Sequence, residues 1–416
     1  METAILHYTA PPVVGGVESV IQNHTRAFVQ AGYPVTVIAG RGEEEALAPP
    51  ANFISIPQID SQHAQVSELS ATLSEGQIPD QFHDLARQLE KTLAPLLSRF
   101  DHLIVHNVLT KRFNLPLTVA LHQLLEQGVI RHCIAWCHDF GWASERSRSK
   151  LYPRHPWDLL RTRRSDVTYV VVSRRRQQAL ATLFDCPSDD IHVVYNGVSP
   201  QRLWALSDEG RALVDRLDLL DSDLIVLMPV RVTQAKNIEY ALRVVAALKA
   251  HGCRPKLVLT GPPDPHSAES MAYFQSLQAL RRELEVEGEM RFVFESGPEP
   301  GEPYTIDDRV VGDLYRVADV MFMPSHREGF GMPVLEAGLV GMPVLCTGVP
   351  AAEEIGASDV AIFDPQDAPA QTAALLLERV ERSATSRFRR RVRRAYTWQA
   401  IFRREIEPLL REGISR

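Results

Sequence analysis

The sequence predicts an α/β protein made of two doubly wound halves. Three observations carry this. Short β-branched runs alternate with segments of helical periodicity, as expected for parallel sheets with helices on both faces. The alternation pauses once, in the polar stretch after Asn196, and then restarts. The 416 residues, 45% hydrophobic and 23% charged, suit two or three domains that each bury a core.

In the first half, residues 4–8 read as a buried strand. After Gly15 and Gly16, the residues Val17, Val20, Ile21, His24, Ala27 and Phe28 recur at helical spacing, and Gly32 stops the helix. Further strands are expected at 35–39, 53–56, 103–106, 134–136, 169–172 and 193–195. The second half opens with a strand at 224–230 and a helix at 237–250, with Asn237 as its N-cap. Strands follow at 256–260, 291–294, 320–323, 344–346 and 360–363. The proline-rich segment 261–267 and the segment 297–304 read as loops, and 398–410 as a helix. The expected domains are 1–200, 201–395 and a C-terminal helical segment 396–416.

The formal charge of −7 argues against wholesale binding of nucleic acid. The longest apolar stretches are strand-sized, too short to span a bilayer. The start Met1-Glu2-Thr3-Ala4 shows no signal peptide. Five cysteines at irregular positions do not form a disulfide framework, so a reducing, cytoplasmic setting is the default. His132-Cys133 and Cys137-His138 bracket one strand, but their spacing is not that of a common zinc ribbon, and buried thiols are the favoured reading. A phosphate-binding G-x-x-x-x-G-K-[ST] loop, a G-x-G-x-x-G after the first strand and a G-x-S-x-G elbow are all absent. Basic runs stand at 161–164, 174–176 and 387–394. The last, with six arginines in eight positions, reads as a solvated helix paired with nearby acids, or more sharply as a peripheral contact with anionic lipid.

The most informative stretch is Ser325-His326-Arg327-Glu328-Gly329-Phe330-Gly331-Met332-Pro333-Val334-Leu335-Glu336-Ala337-Gly338. Gly329 and Gly331 flank Phe330, so the backbone there can approach a ligand. Pro333 suits a first helical position, which starts a helix near Met332 whose free N–H groups suit a diphosphate. Glu328 falls in the loop and Glu336 in or just past the first turn. Carboxylates suit sugar hydroxyls, and the alternative is that both acids merely favour a helix N-terminus.

Glu328 and Glu336 enclose seven residues, and this segment closely resembles the signature of family 4 retaining glycosyltransferases. Gly341-Met342-Pro343-Val344 and Leu314-Tyr315-x-x-Ala318-Asp319-Val320 resemble that family too. The resemblance implies the GT-B fold, two Rossmann-like domains facing a central cleft, with acceptor binding on the first and a nucleotide-sugar on the second. Arg231 and Lys236, after the strand that opens the second half, match the family's Arg and Lys that neutralise the departing diphosphate; solvated surface cations are the alternative. Gly15 and Gly16 resemble its glycine-rich loop, though such a pair also simply makes a turn. His138 resembles its histidine near the donor sugar. Asn196-Gly197-Val198 resembles its interdomain junction. Phe294 and Glu295, at a strand end, are expected near the nucleotide base.

The resulting expectation is transfer of a hexose from a nucleoside diphosphate sugar, of GDP-mannose or UDP-glucose type, to an acceptor hydroxyl. Glu336 would bind the ribose and Glu328 hydroxyls of the transferred sugar, with Gly329, Phe330, Gly331 and Met332 also counted in the donor site. Fixed cations would replace a divalent metal, so no cofactor is expected. The acceptor would be a carbohydrate, a small molecule or a lipid-linked group, with contact at the inner face of the membrane in the last case. Rival readings are a nucleotide-sugar epimerase or phosphorylase of the same fold, and a non-catalytic nucleotide-sugar-binding scaffold.

Overall fold

A computed structural model of the chain describes residues 1–412. The last four positions of the expected segment 396–416 lie outside the described residues. The chain divides into two units. The first gathers Met1–Val198 and the segment from Trp398 onward, and the second is Ser199–Thr397.

The first unit holds seven strands: β1 (Thr3–Leu6), β2 (Val35–Ala39), β3 (Asn52–Ser55), β4 (His102–His106), β5 (His132–Cys137), β6 (Val167–Val171) and β7 (Ile191–Val193). All pair in parallel, in the order β3-β2-β1-β4-β5-β6-β7. Successive side chains point to opposite faces of a strand. Ala4, Leu6, Leu103, Val105, Cys133 and Ala135 therefore enter one core, and Ile5, Ile104, Ile134 and Trp136 the other.

That second core is completed by the chain's last segment. Trp398–Ile401, a wide turn Phe402–Ile406 and Glu407–Glu412 form one helical run. The Phe402 ring meets Phe28 edge-on at 4.9 Å, Trp398 meets His24 at 5.2 Å, and the Tyr33 hydroxyl donates to Glu407 at 2.6 Å. Burying a ring such as Phe402 contributes about 2–3 kcal/mol.

The second unit has six parallel strands: β8 (Leu224–Met228), β9 (Pro255–Leu259), β10 (Met290–Phe292), β11 (Val320–Met323), β12 (Val344–Cys346) and β13 (Ala361–Ile362). Their order is β10-β9-β8-β11-β12-β13. The chain thus has the doubly wound Rossmann-like architecture expected for each half. In each sheet the winding reverses once, between β1 and β4 and between β8 and β11. Such reversal points are where ligands enter open α/β sheets, beyond the C-terminal strand ends.

Several local expectations are corrected. Asn237 does precede the helix Ile238–Ala250, but its side chain makes no capping bond; it takes a left-handed conformation, φ 52°, after the tight turn Gln234–Lys236. Asn tolerates that conformation better than most residues. β7 ends two residues earlier than expected, because its partner β6 stops at Val171, opposite Val193.

The arginine-rich helix Ala384–Ala395 pairs with nearby acids as expected, but only one of its faces is solvated: Arg387, Arg391 and Arg394 are exposed, and Arg390 and Arg393 are buried. Arg393 is buried and pairs with Asp319 at 2.6 Å, and it also donates to the carbonyl of Ser222 at 2.7 Å. Arg390 donates to the carbonyl of Asp223 and pairs with Glu381, and Arg394 pairs with the Asp223 carboxylate. Arg389 lies over the Trp204 ring, 5.0 Å from its centroid. Arg390, Arg393 and Arg394 fasten this helix to the N-terminal ends of β8 and β11, while Arg387 and Arg391 stay exposed. Among the described residues no helix is long and apolar enough to cross a membrane.

Candidate active site

In the second unit the expected residues gather at the reversal point between β8 and β11. After β8 the chain passes through Pro229 and Val230 to Arg231, which is exposed and has no hydrogen-bond or ion-pair partner among the described residues. Gly261 permits this path: a Cβ there would sit 2.7 Å from the Arg231 Cα and 2.5 Å from the Val230 carbonyl oxygen. Lys236 closes the following turn. Its ammonium lies 2.6 and 2.7 Å from the two carboxylate oxygens of Glu328, in the loop after β11.

That loop is held from both sides. The Ser325 hydroxyl donates to Glu328 Oε1 at 2.7 Å, and Thr347, beyond β12, donates to the Ser325 carbonyl at 2.6 Å. The His326 N–H donates to the carbonyl of Ala235, next to Lys236. Glu328 is thus mostly buried and fixed by a cation and a hydroxyl. An ammonium has three donors, so Lys236 retains one for a further acceptor.

Gly331 caps the helix Met332–Leu339 with φ 100°, a conformation that excludes most side chains; a Cβ there would also press on Val349 at 3.2 Å. Pro333 has no N–H, and that of Val334 is taken by the Gly331 carbonyl, so the first turn offers an anion fewer donors than a bare helix start. Gly329 faces open space where a side chain would begin, and Phe330 and Met332 expose apolar surface beside Glu328. Glu336, one turn further, accepts a 2.5 Å hydrogen bond from the hydroxyl of Tyr315, on the helix Asp308–Val317. Burial, and then this acceptor, hold the Tyr315 phenol far above its usual range.

Phe294 and Glu295 follow β10, the edge strand two places from β8. β10 pairs with β9 only as far as Phe292, opposite Leu259, so residues 293–295 leave the sheet in a tight turn. Phe294 is buried edge-on against Phe274 at 5.5 Å. The Glu295 carboxylate pairs with Arg281 and accepts from Gln278 at 2.9 Å.

In the first unit, His138 follows β5 and its N–H donates to the Asn107 side chain at 2.9 Å. Its ring stacks on that of His106. Burial, with His7 nearby, lowers its pKa to about 4. Asp139 pairs with Lys111 at 2.5 Å and with Arg176 at 3.2 Å. Gly15 is the extended residue ahead of the helix Gly16–Gln30, and Gly16 is open to solvent. A Cβ on Gly15 would collide with the Glu18 carboxylate, at 2.0 Å from Oε2. The glycine therefore lets Glu18 fold back to accept from the Thr9 hydroxyl at 2.5 Å, with His7 Nε2 4.0 Å away. An acid over this helix start suits a ligand rich in hydroxyls better than an anion.

The roles of Tyr315, Ser325, Thr347, His7 and His106 were missed by sequence reasoning. Tyr315 and Ser325 stood inside quoted motifs, and His106 at an expected strand end, so a signal existed for each. Cys133 and Cys137 lie buried in one core, where burial lifts both thiols to about 12. Among the described residues no group of three or more His, Cys, Asp or Glu is placed to hold a metal.

Comparison with known proteins matches residues 14–202 to glycosyltransferase family 4 and residues 213–395 to glycosyl transferases group 1, one over each unit. An uncharacterized glycosyltransferase of Methanocaldococcus jannaschii, MJ1607, is 27% identical over 276 residues, 65% of this chain and 64% of that protein. A mannosylglucosylglycerate synthase of Petrotoga mobilis is 26% identical over 59% of each chain. A D-inositol 3-phosphate glycosyltransferase of Saccharomonospora viridis is 30% identical over 53% of this chain and 50% of that protein. The matched region thus spans between half and just under two thirds of these relatives. With both family models in sequence, each on a Rossmann-like unit, the chain belongs to the group 1 glycosyltransferases of the family 4 type, with their two-domain GT-B architecture.

Proposed function

We propose that the protein transfers a hexose from a nucleoside diphosphate sugar, of GDP-mannose or UDP-glucose type, to an acceptor hydroxyl, with retention and without a divalent metal. The observation that supports this best is the Lys236–Glu328 pair at the reversal point between β8 and β11, with Arg231 on the same edge. Glu328, with acceptor capacity left on its carboxylate, holds hydroxyls of the hexose. The remaining donor of Lys236, with Arg231, meets the diphosphate as charge develops on it. Glu336, oriented by Tyr315, holds the ribose. The bond from the anomeric carbon to the phosphate oxygen breaks and a bond to the acceptor oxygen forms on the same face. The acceptor's proton passes to the leaving phosphate oxygen. The acceptor is a carbohydrate, a small molecule or a lipid-linked group.

The test is a donor panel of GDP, UDP, ADP and their common sugars, read by thermal shift with EDTA present. One nucleotide should raise the melting temperature, and its labelled sugar should pass to an acceptor with the anomeric configuration kept. The variant Lys236→Ala should cut kcat by about 100-fold, the scale of losing one donor to developing charge. Turnover that needs added magnesium overturns metal independence. No shift with any nucleotide, with or without magnesium, overturns the whole reading.

A further inference from the structure

Three adjacent strands of the first sheet end in histidine. His7 follows β1, His106 closes β4 and His138 follows β5. All three mark the reversal point of that sheet and its neighbour strand. His106 is fully buried. Its Nδ1 lies 3.0 Å from Nε2 of His138, and the two rings stack at 5.3 Å with 19° between their planes. The ring of His24 approaches to 5.4 Å. The Nε2 of His106 is buried with no hydrogen-bond partner among the described residues.

The His106–His138 contact needs one bridging proton, and the surroundings decide which ring supplies it. Burial holds His106 well below the ordinary histidine range, and His138 lies near 4, so both rings are neutral at pH 7. If His138 donates, the single proton of His106 must sit on Nε2, as a buried N–H with nothing to receive it. An orphaned buried N–H is a rare and costly arrangement. If His106 donates from Nδ1, no N–H is stranded, and only a bare ring nitrogen is left in the core. His138 then carries its own proton on Nδ1, on a half-buried ring where a ligand oxygen or water can accept it. His7 does not compete for this bond. Its Nδ1 meets the His106 carbonyl at 2.9 Å, and a carbonyl only accepts.

We propose that His106 is a positioning residue that fixes His138 with its proton on Nδ1, so that His138 meets a sugar oxygen as a hydrogen-bond donor and not as a base. The inference deepens the proposed sugar transfer and rests on it for the identity of the ligand. It also sends the acceptor's proton elsewhere, in keeping with a leaving phosphate that receives it.

The experiment is long-range proton–nitrogen NMR at pH 7 on the whole protein labelled with nitrogen-15 histidine. A His138→Gln sample assigns the His138 signals by their loss. The expected spectrum shows one tautomer of His138, with a protonated Nδ1 and a bare Nε2. A protonated Nε2 overturns the proposal. In His106→Phe, which keeps a ring in the core, His138 should lose the single tautomer and show a mixture. An unchanged Nδ1–H form in that variant also overturns it, and if the variant does not fold, the wild-type spectrum decides alone. Turnover is read separately. The expected tautomer with no transfer of any sugar refutes the reaction and leaves the histidine pairing standing; transfer with the opposite tautomer does the reverse.

Discussion

The substitution Tyr315→Phe removes one hydroxyl and leaves its ring in place. The hydroxyl is buried and meets Glu336 at 2.5 Å. A hydrogen bond to a charged group contributes roughly 1.5–3 kcal/mol, but Glu336 is exposed and water can replace the lost donor. A loss below that range, about 1 kcal/mol, is therefore expected. If Glu336 grips the ribose, this loss appears in nucleotide affinity, as a Kd raised about fivefold. Titration calorimetry would compare the preferred nucleoside diphosphate with its 2′,3′-dideoxy form. The dideoxy form should bind more weakly than the natural one to the wild type, and equally to the wild type and Tyr315→Phe. An equal loss for both nucleotides would refute the reasoning, because Tyr315 would then act on the fold and not through the ribose contact.

Other outcomes follow from burial and pairing. Arg393→Met leaves the Asp319 carboxylate buried without its cation, and urea unfolding should show roughly 3–5 kcal/mol lost; the double change Arg393→Met with Asp319→Leu should recover most of it. Phe402→Ala should cost about 3–5 kcal/mol and loosen the first unit, seen as new proteolytic cuts confined to residues of that unit. Burial lowers His24 to about 3, and His122 and His138 to about 4, while in the unfolded chain all three titrate near 6.5. The unfolded state therefore gains protons first, so stability is full above pH 6.5 and falls as pH drops towards 4. The slope approaches about 1.4 kcal/mol per pH unit for each histidine. A urea midpoint unchanged between pH 7 and pH 5 would contradict this.

Much of the fold was legible because the strands are continuous apolar runs, such as residues 224–228, buried on both faces. Their exact ends were less so, because an end depends on the neighbour. Phe292-Val293-Phe294 is one apolar run, but the sheet stops at Phe292 where β9 stops. The Glu328 loop and the start of the next helix were readable from glycine and proline placement alone. Its partners were not: Ser325 and Tyr315 reach the two acids through tertiary contact. The same holds for the strand-end histidines. Each was visible at or near the end of an expected strand, but their convergence depends on β1, β4 and β5 being neighbours, and the order of strands in a sheet is not written in any one of them. The arginine run was readable as a helix paired with acids, but which acids was not, for a related reason. Asp319 and Asp223 lie far from the run in sequence and come beneath the helix only through the fold, which buries Arg393.

The return of Trp398, Ile401 and Phe402 to the first sheet has a consequence for how the protein is made. The face carrying Phe28 and His24 needs side chains about 370 residues further along the chain. During synthesis the early half must leave the ribosome with that face uncovered. The later half is continuous in sequence, from Ser199 to Thr397, and so can close its core before the earlier one does. A released chain ending at Thr397 should therefore carry a protease-resistant second unit attached to a first unit that binds chaperones. The part of the protein translated first is the part finished last.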